Sequence, residues 1–255
     1  MRTLFSLLPR RVRRFVRRGS GGLELVIFDM DGVLRDTILV VYTALCHTVE
    51  ELGGVAPPFA RYCAYYSYPW LNHFRSYGVT APIEEIEVVF RKHRAALRSY
   101  YRMFPEAADV VRQLDGHGFM MASVSADTLE QTYADLRSVG IEGRFDLILG
   151  ERFDKTAALE KACLRLDVAP HRAAYVGDLA SDMEHAGAAG LMRIARVYEN
   201  PPLPPDARIL TCEADARLHG PLTGLAEIVL DLRPRDARSR VDADKALREA
   251  GAIED

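Results

Sequence analysis

Acids, hydroxyls and one of only four lysines fall at four separated places in the 255-residue chain. These are Asp29-Met30-Asp31-Gly32, Ser123-Val124-Ser125, Lys155, and Gly177-Asp178-Leu179-Ala180-Ser181-Asp182. Carboxylates brought close together repel, and some take up protons unless a cation sits among them. Hard oxygen ligands with one or two carboxylates suit Mg2+, which keeps part of its water shell and accepts a phosphate oxygen. Beside such a cation a carboxylate attacks phosphorus to give an aspartyl-phosphate. A second acid two residues along the turn points differently and serves as general acid, then base. A serine hydroxyl, backbone N–H groups and a lysine ammonium hold the phosphate oxygens and balance charge in flight.

The elements between these places bring them together. Leu25-Val26-Ile27-Phe28 is a continuous β-rich apolar run of the kind buried on both faces of a parallel sheet, and similar runs occupy 119–122, 145–149, 173–176 and 191–195. Helical patterns lie between them at 106–114, from the capping-box sequence Asp127-Thr128-Leu129-Glu130 to Gly140, at 156–166 and at 183–189. This alternation predicts a doubly wound α/β parallel sheet. The side chains just past the carboxyl ends of its strands converge on one crevice, and the four chemical stretches all follow a strand. Residues 37–103 break the rhythm: they carry no convincing strand and read as three helices near 38–52, 59–77 and 83–101. Such a stretch is too long for a crossover and predicts an inserted helical subdomain. The expected division is a basic extension over 1–22, a core over 23–36 and 104–231, a helical cap over 37–103 and a polar tail over 232–255.

The stretches VIFDMDGVLRDT, MMASVS, FDK and YVGDLASD resemble, in order, the four signature motifs of the haloacid dehalogenase superfamily of phosphohydrolases. The insertion resembles the small α-helical cap of its phosphoglycolate phosphatase-like and β-phosphoglucomutase-like branch, and Met103-Phe104-Pro105-Glu106 is similar to the turn where that cap returns to the core. The resemblance covers about residues 23–230. It implies a Rossmann-like core and an Mg2+-dependent phosphatase acting on a small phosphorylated metabolite. Carried over by position, Asp29 is the expected nucleophile and a metal ligand; Asp31 is the acid/base and lends its backbone carbonyl to the metal. Ser123, with the backbone at Val124, would bind phosphate, and Lys155 would bridge phosphate and Asp29. Asp178 would ligate Mg2+ directly, and Asp182 would orient metal waters or Lys155. The sequence departs from the pattern at Thr156, which follows Lys155 where proline is usual, at Glu106, which replaces a common glycine, and at Val124, where many relatives carry a polar residue.

Blander readings stand beside these. Asp29-x-Asp31-Gly32 lacks the third loop acid and terminal glutamate of an EF-hand, and a buried strand precedes it. Ser123 is either a phosphate ligand or a helix cap, an office that Asp127 also fills. Lys155 competes with Lys161. The aromatic residues Tyr62, Tyr65, Tyr66, Tyr68, Trp70, Phe74 and Tyr77 are read chiefly as the cap's own core, a specificity surface being the alternative. Arg35 either meets a substrate carboxylate or pairs with Asp36. A phosphomutase uses the same atoms, whereas dehalogenation has no need of an acid at Asp31. A non-catalytic protein recruited to membranes is the reading from another class.

Composition narrows the setting. Half the side chains are hydrophobic (49%), enough for a large core, and no apolar run approaches the roughly 18 residues of a membrane helix. Cys46, Cys63, Cys163 and Cys212 form no CxxC pair, so a reducing, cytoplasmic setting fits. The net charge of −3 hides an asymmetry: seven arginines lie within residues 1–18, without an acid, and the remaining 26 basic groups face 36 acidic ones. A body that acidic is a poor general binder of nucleic acid, while the basic arm fits contact with phosphates or an anionic membrane surface, or a targeting role. Monomer and homodimer stay equally open.

Overall fold

In the computed structural model, residues 9–19, 21–67, 70–151 and 155–234 are described. Six strands form one parallel sheet: β1 (Leu25–Phe28), β4 (Met120–Val124), β5 (Leu147–Leu149), β6 (Ala173–Gly177), β7 (Met192–Val197) and β8 (Ala216–His219), in the order β5-β4-β1-β6-β7-β8. The chain winds outward in both directions from β1, which pairs with β4 and β6, so that Phe28 lies opposite both Ser123 and Val176. Every β1 side chain is buried, as the unbroken apolar run required. Alternation sends Val26 and Phe28 into one core with α6 (Ala107–Gly116), α7 (Leu129–Ser138) and α10 (Leu225–Asp231). Leu25 and Ile27 enter the other, with α8 (Thr156–Arg165) and α9 (Ala180–Ala188).

The inserted segment leaves and rejoins the core through a short antiparallel pair, β2 (Arg35–Asp36) with β3 (Arg102–Met103). Between them stand α2 (Ile38–Glu51), α3 (Phe59–Tyr65), α4 (Leu71–Ser76) and α5 (Ile83–Ala96). They share their own core of Leu45, Val49, Tyr62, Phe74, Tyr77, Val79 and Ile86. The expected helix over 59–77 is two shorter ones, and Tyr68 lies outside the described residues.

Four details differ from the sequence reading. The N-cap of α7 is Thr128, whose hydroxyl accepts from the Gln131 N–H at 3.3 Å, rather than Asp127. Helix α9 begins at Ala180, because Asp182 in its first turn accepts the Leu179 N–H at 3.1 Å. Strand β8 was not anticipated. The basic arm contains a helix, α1 (Arg10–Gly19), packed on the core. Arg10 and Arg13 reach Asp115 at 2.7 and 3.3 Å, Arg14 reaches Asp146 at 2.6 Å, and Arg18 reaches Glu24 at 3.2 Å. Gly118, at φ +81°, permits this contact, since a Cβ there would come within 2.6 Å of the Arg13 carbonyl oxygen. Residues 1–8 and 235–255 lie outside the described residues.

Candidate active site

The carboxyl ends of β1 and β6 deliver the first acids. Asp29 follows β1 directly; its N–H donates to the Val176 carbonyl at 3.0 Å and its Oδ1 accepts the Met30 N–H at 2.8 Å. Asp178 follows β6, and its carboxylate lies against the turn after Asp31. Only a glycine fits that turn: a Cβ on Gly32, itself at φ +69°, would sit 1.9 Å from Asp178 Oδ2. Lys155 stands at the N-terminus of α8 and donates to Asp29 Oδ2 at 2.6 Å and Asp182 Oδ1 at 2.8 Å. One carboxylate oxygen from each of Asp29, Asp178 and Asp182 falls within 4.8 Å of the others.

Among the described residues, three carboxylates share one ammonium, so the cluster is short of positive charge. Burial pushes the Asp29 carboxyl up to about 7, with Lys155 pulling against it and Asp182 adding to it. Burial, Asp182 and Asp29 hold Asp178 well above the usual carboxylate range. Burial would lower the Lys155 ammonium, but Asp182 and Asp29 more than reverse it. An all-oxygen donor set lacking positive charge is what a hard divalent cation takes. Asp29 and Asp182 each have both oxygens engaged, one with Lys155 and the other with a backbone N–H, that of Met30 for Asp29 and that of Leu179 for Asp182.

Asp31 has a different environment. Its Oδ1 accepts from Arg35 at 2.7 Å and Thr37 at 2.6 Å, and its Oδ2 from Arg94 of α5 at 2.9 Å. Burial alone would raise this carboxyl, yet Arg35, Arg94 and Thr37 hold it well below the usual range. Arg35, its side chain 1% exposed, also pairs with Asp127 at 2.9 Å and with Asp135; Asp36 is not its partner. Arg98 pairs with Asp135 at 2.6 Å, and the guanidinium groups of Arg35, Arg94 and Arg98 surround the Tyr101 ring.

The helical segment is closed onto the core. Ser67 Oγ accepts the Ser181 N–H at 3.1 Å, and Tyr65 donates to Asp206 at 2.9 Å. Beneath it is a cavity of about 680 Å³ that includes Asp29, Asp31, Lys155, Asp178 and Asp182 on the core side and Tyr62, Tyr66, Trp70, Phe90, Arg91 and Arg94 on the other. All five of these chemical residues therefore meet as the sequence predicted.

Ser123 and Val124 do not join them. Strand β4 continues through Val124, so Ser123 lies inside the sheet on the Met121 side. Its Oγ is buried without a hydrogen-bond partner among the described residues, and neither residue lines the cavity. The strand ends one step later, at Ser125, whose Oγ accepts the Asp127 N–H at 3.1 Å and which leads into the cavity-lining Ala126, Asp127 and Thr128. Sequence reading also missed Thr37, Arg94 and the Asp127/Asp135 pair. Arg91, Arg94 and Arg98 at helical spacing were a signal, but a faint one in a chain with 29 arginines.

The chain is 26% identical over 174 residues to the tyrosine-protein kinase PtkA of Mycobacterium tuberculosis, covering 66% of this chain. It spans 60% of that kinase's length. It is 29% identical over 184 residues to a phosphoglycolate phosphatase of Aquifex aeolicus, covering 66% of this chain and 82% of the relative. Its fold matches a predicted phosphatase from Clostridium acetobutylicum at a TM-score of 0.67 and 16% identity, over 83% of this chain and all of that one. Residues 26–196 match the model of the haloacid dehalogenase-like hydrolases, and the chain belongs to that family.

Proposed function

We propose that the chain is a phosphomonoester hydrolase that passes the phosphoryl group through Asp29. The observation that carries this reading is the buried contact of Asp29 with Lys155 beside Asp178 and Asp182, in the cavity at the carboxyl end of the sheet. Asp29 Oδ bonds to phosphorus as the ester P–O bond breaks, and the leaving oxygen takes a proton and departs as the alcohol. Water then attacks the aspartyl-phosphate, releasing inorganic phosphate and restoring the Asp29 carboxylate. Lys155 holds Asp29 in place and faces a phosphate oxygen. Ser125 and the backbone of Ala126 take the phosphate-binding place that the sequence assigned to Ser123 and Val124.

Asp29 and Asp178 are the side chains that would hold Mg2+, with the Asp31 carbonyl, while Asp182 positions Lys155 and the outer waters. When bound, the ion would supply the positive charge that the three carboxylates lack and offset the charge of the phosphate. Asp31 is ionised while Arg35, Arg94 and Thr37 hold it; it takes up a proton once Arg94 leaves its Oδ2, and then serves as the proton donor and afterwards as the base for water. Its Oδ2 is held by Arg94 in the closed state, and exchange of that partner for the ester oxygen brings the acid to the leaving group. The relatives named phosphoglycolate phosphatases support hydrolysis. The kinase relatives point to the same attack at phosphorus with a tyrosine hydroxyl replacing water.

Asp29→Asn should reduce phosphate release from p-nitrophenyl phosphate to background while circular dichroism stays unchanged. Full activity in this variant would end the reading. Label passing from ATP to protein tyrosine, with no phosphate released from any monoester, would replace hydrolysis by phosphoryl transfer.

A further inference from the structure

The cavity is built from two unlike halves. Its floor is the charged cluster of Asp29, Lys155, Asp178 and Asp182; its roof carries an aromatic and aliphatic patch of Ile38, Val41, Tyr62, Tyr66, Trp70 and Phe90, with Glu87, Arg91, Arg94 and Arg98 beside it. The roof does more than serve as the helical segment's own core. Phe74 and Tyr77 are buried in that core and do not line the cavity, whereas Tyr66, Trp70 and Phe90 are only half-buried and do line it. The rings form two tilted pairs, Tyr62–Tyr66 at 4.7 Å and Trp70–Phe90 at 6.2 Å between centroids.

The volume matters because the roof is already down. With Ser67 on Ser181, Tyr65 on Asp206 and Arg94 on Asp31, about 680 Å³ still remains, within the range of pockets that enclose drug-sized ligands. A phosphate ester with a two-carbon leaving group would occupy the charged floor and leave the aromatic roof facing water. A flat ring bearing the phosphate on a short arm covers that roof and gains the ring–ring geometry that aromatic side chains favour.

Resting on the hydrolase reading, we propose that the substrate carries its phosphate on a planar aromatic group, and that Trp70 and Phe90 are the residues that select it. The bonds made and broken are those given above; the aromatic group leaves as its alcohol with one proton, and water supplies the oxygen of the released phosphate.

Trp70 is the only tryptophan in the chain and reports directly on the roof. The non-hydrolysable 4-nitrobenzylphosphonate, whose nitro ring quenches indole emission, should give saturable quenching of the full-length protein in Mg2+. Ethylphosphonate should displace it only at concentrations at least tenfold higher. In the catalytic arm, kcat/KM for 4-nitrobenzyl phosphate should exceed that for phosphoglycolate at least tenfold. Phe90→Ala should shrink that ratio about tenfold, and Phe90→Leu supplies the same readout if the alanine variant does not fold. Quenching that fails to saturate, equal displacement by ethylphosphonate, or phosphoglycolate as the better ester overturns the proposal. Saturable quenching with no phosphate released from any ester keeps the aromatic site and overturns the hydrolase reading instead.

Discussion

Both ends of the sheet collect acids, and they differ in whether every acid finds a guanidinium. At the amino end, Glu24, Asp115, Asp146 and Asp167 are met by Arg10, Arg13, Arg14, Arg18, Arg144 and Arg172. Each acid there has at least one guanidinium, and Arg17 lies 3.8 Å over the Phe119 ring. At the carboxyl end Asp31, Asp127 and Asp135 are likewise answered by Arg35, Arg94 and Arg98, but among the described residues Asp29, Asp178 and Asp182 have only the Lys155 ammonium between them. The saturated end binds a piece of its own chain, the helix α1. The unsaturated end has charge left for a cation and an anionic ester. Net charge alone hides the distinction, because it is a matter of which acids are already answered.

The largest expected effect breaks the unsaturated end's link to the helical cap. Arg94→Ala frees Asp31 Oδ2 and removes a tie that holds the cap shut. It should lower kcat/KM about ten- to hundredfold, because the cap loses its tie to Asp31 and closes less well over the bound ester, with little change in melting temperature. The matching change at the saturated end should do the reverse. Arg13→Ala removes a buried guanidinium that bonds the Asp115 carbonyl at 3.1 Å and its carboxylate. It should cost about 1.5–3 kcal/mol of unfolding free energy, read by urea titration, and leave kcat/KM within twofold. An activity loss from Arg13→Ala matching that from Arg94→Ala would erase the distinction between the ends.

A smaller effect concerns pH and metal. Asp29, pushed up to about 7, keeps a proton in the folded metal-free chain over a range where the unfolded chain has lost its own. Its contribution to stability is therefore present below about pH 4 and is lost as pH rises towards 7. Mg2+ replaces that proton as the neutralising charge, so it should raise the melting temperature of EDTA-treated protein by a few degrees at pH 7.5 and by less at pH 5. An equal shift at both values would mean that the ion does not bind among these carboxylates.

Much of this was legible in the chain because burial writes itself into strands. The runs at 25–28 and 173–176 are apolar without interruption, and the acids that follow them could only lie at their carboxyl ends. The same rule failed at β4. Ser123 interrupts the apolar run and so looked like the first crevice residue, yet the sheet buries it and continues to Val124. A serine inside a strand is chemically indistinguishable, in sequence, from one at its end. Strand β8 escaped because it is a four-residue edge with Arg217 and His219 among its members. The arginine network around Tyr101 and the docking of α1 escaped for another reason. Which of 29 arginines meets which acid depends on long-range geometry, and Arg35 finds Asp135 a hundred residues away.

The most direct test of the account is to trap the covalent intermediate. Protein quenched during turnover of p-nitrophenyl phosphate and reduced with borohydride should carry homoserine at position 29, found by peptide mass spectrometry, and Asp29→Asn should carry none. Turnover that proceeds with no modified residue at position 29, or with the phosphoryl group on another side chain, would contradict it.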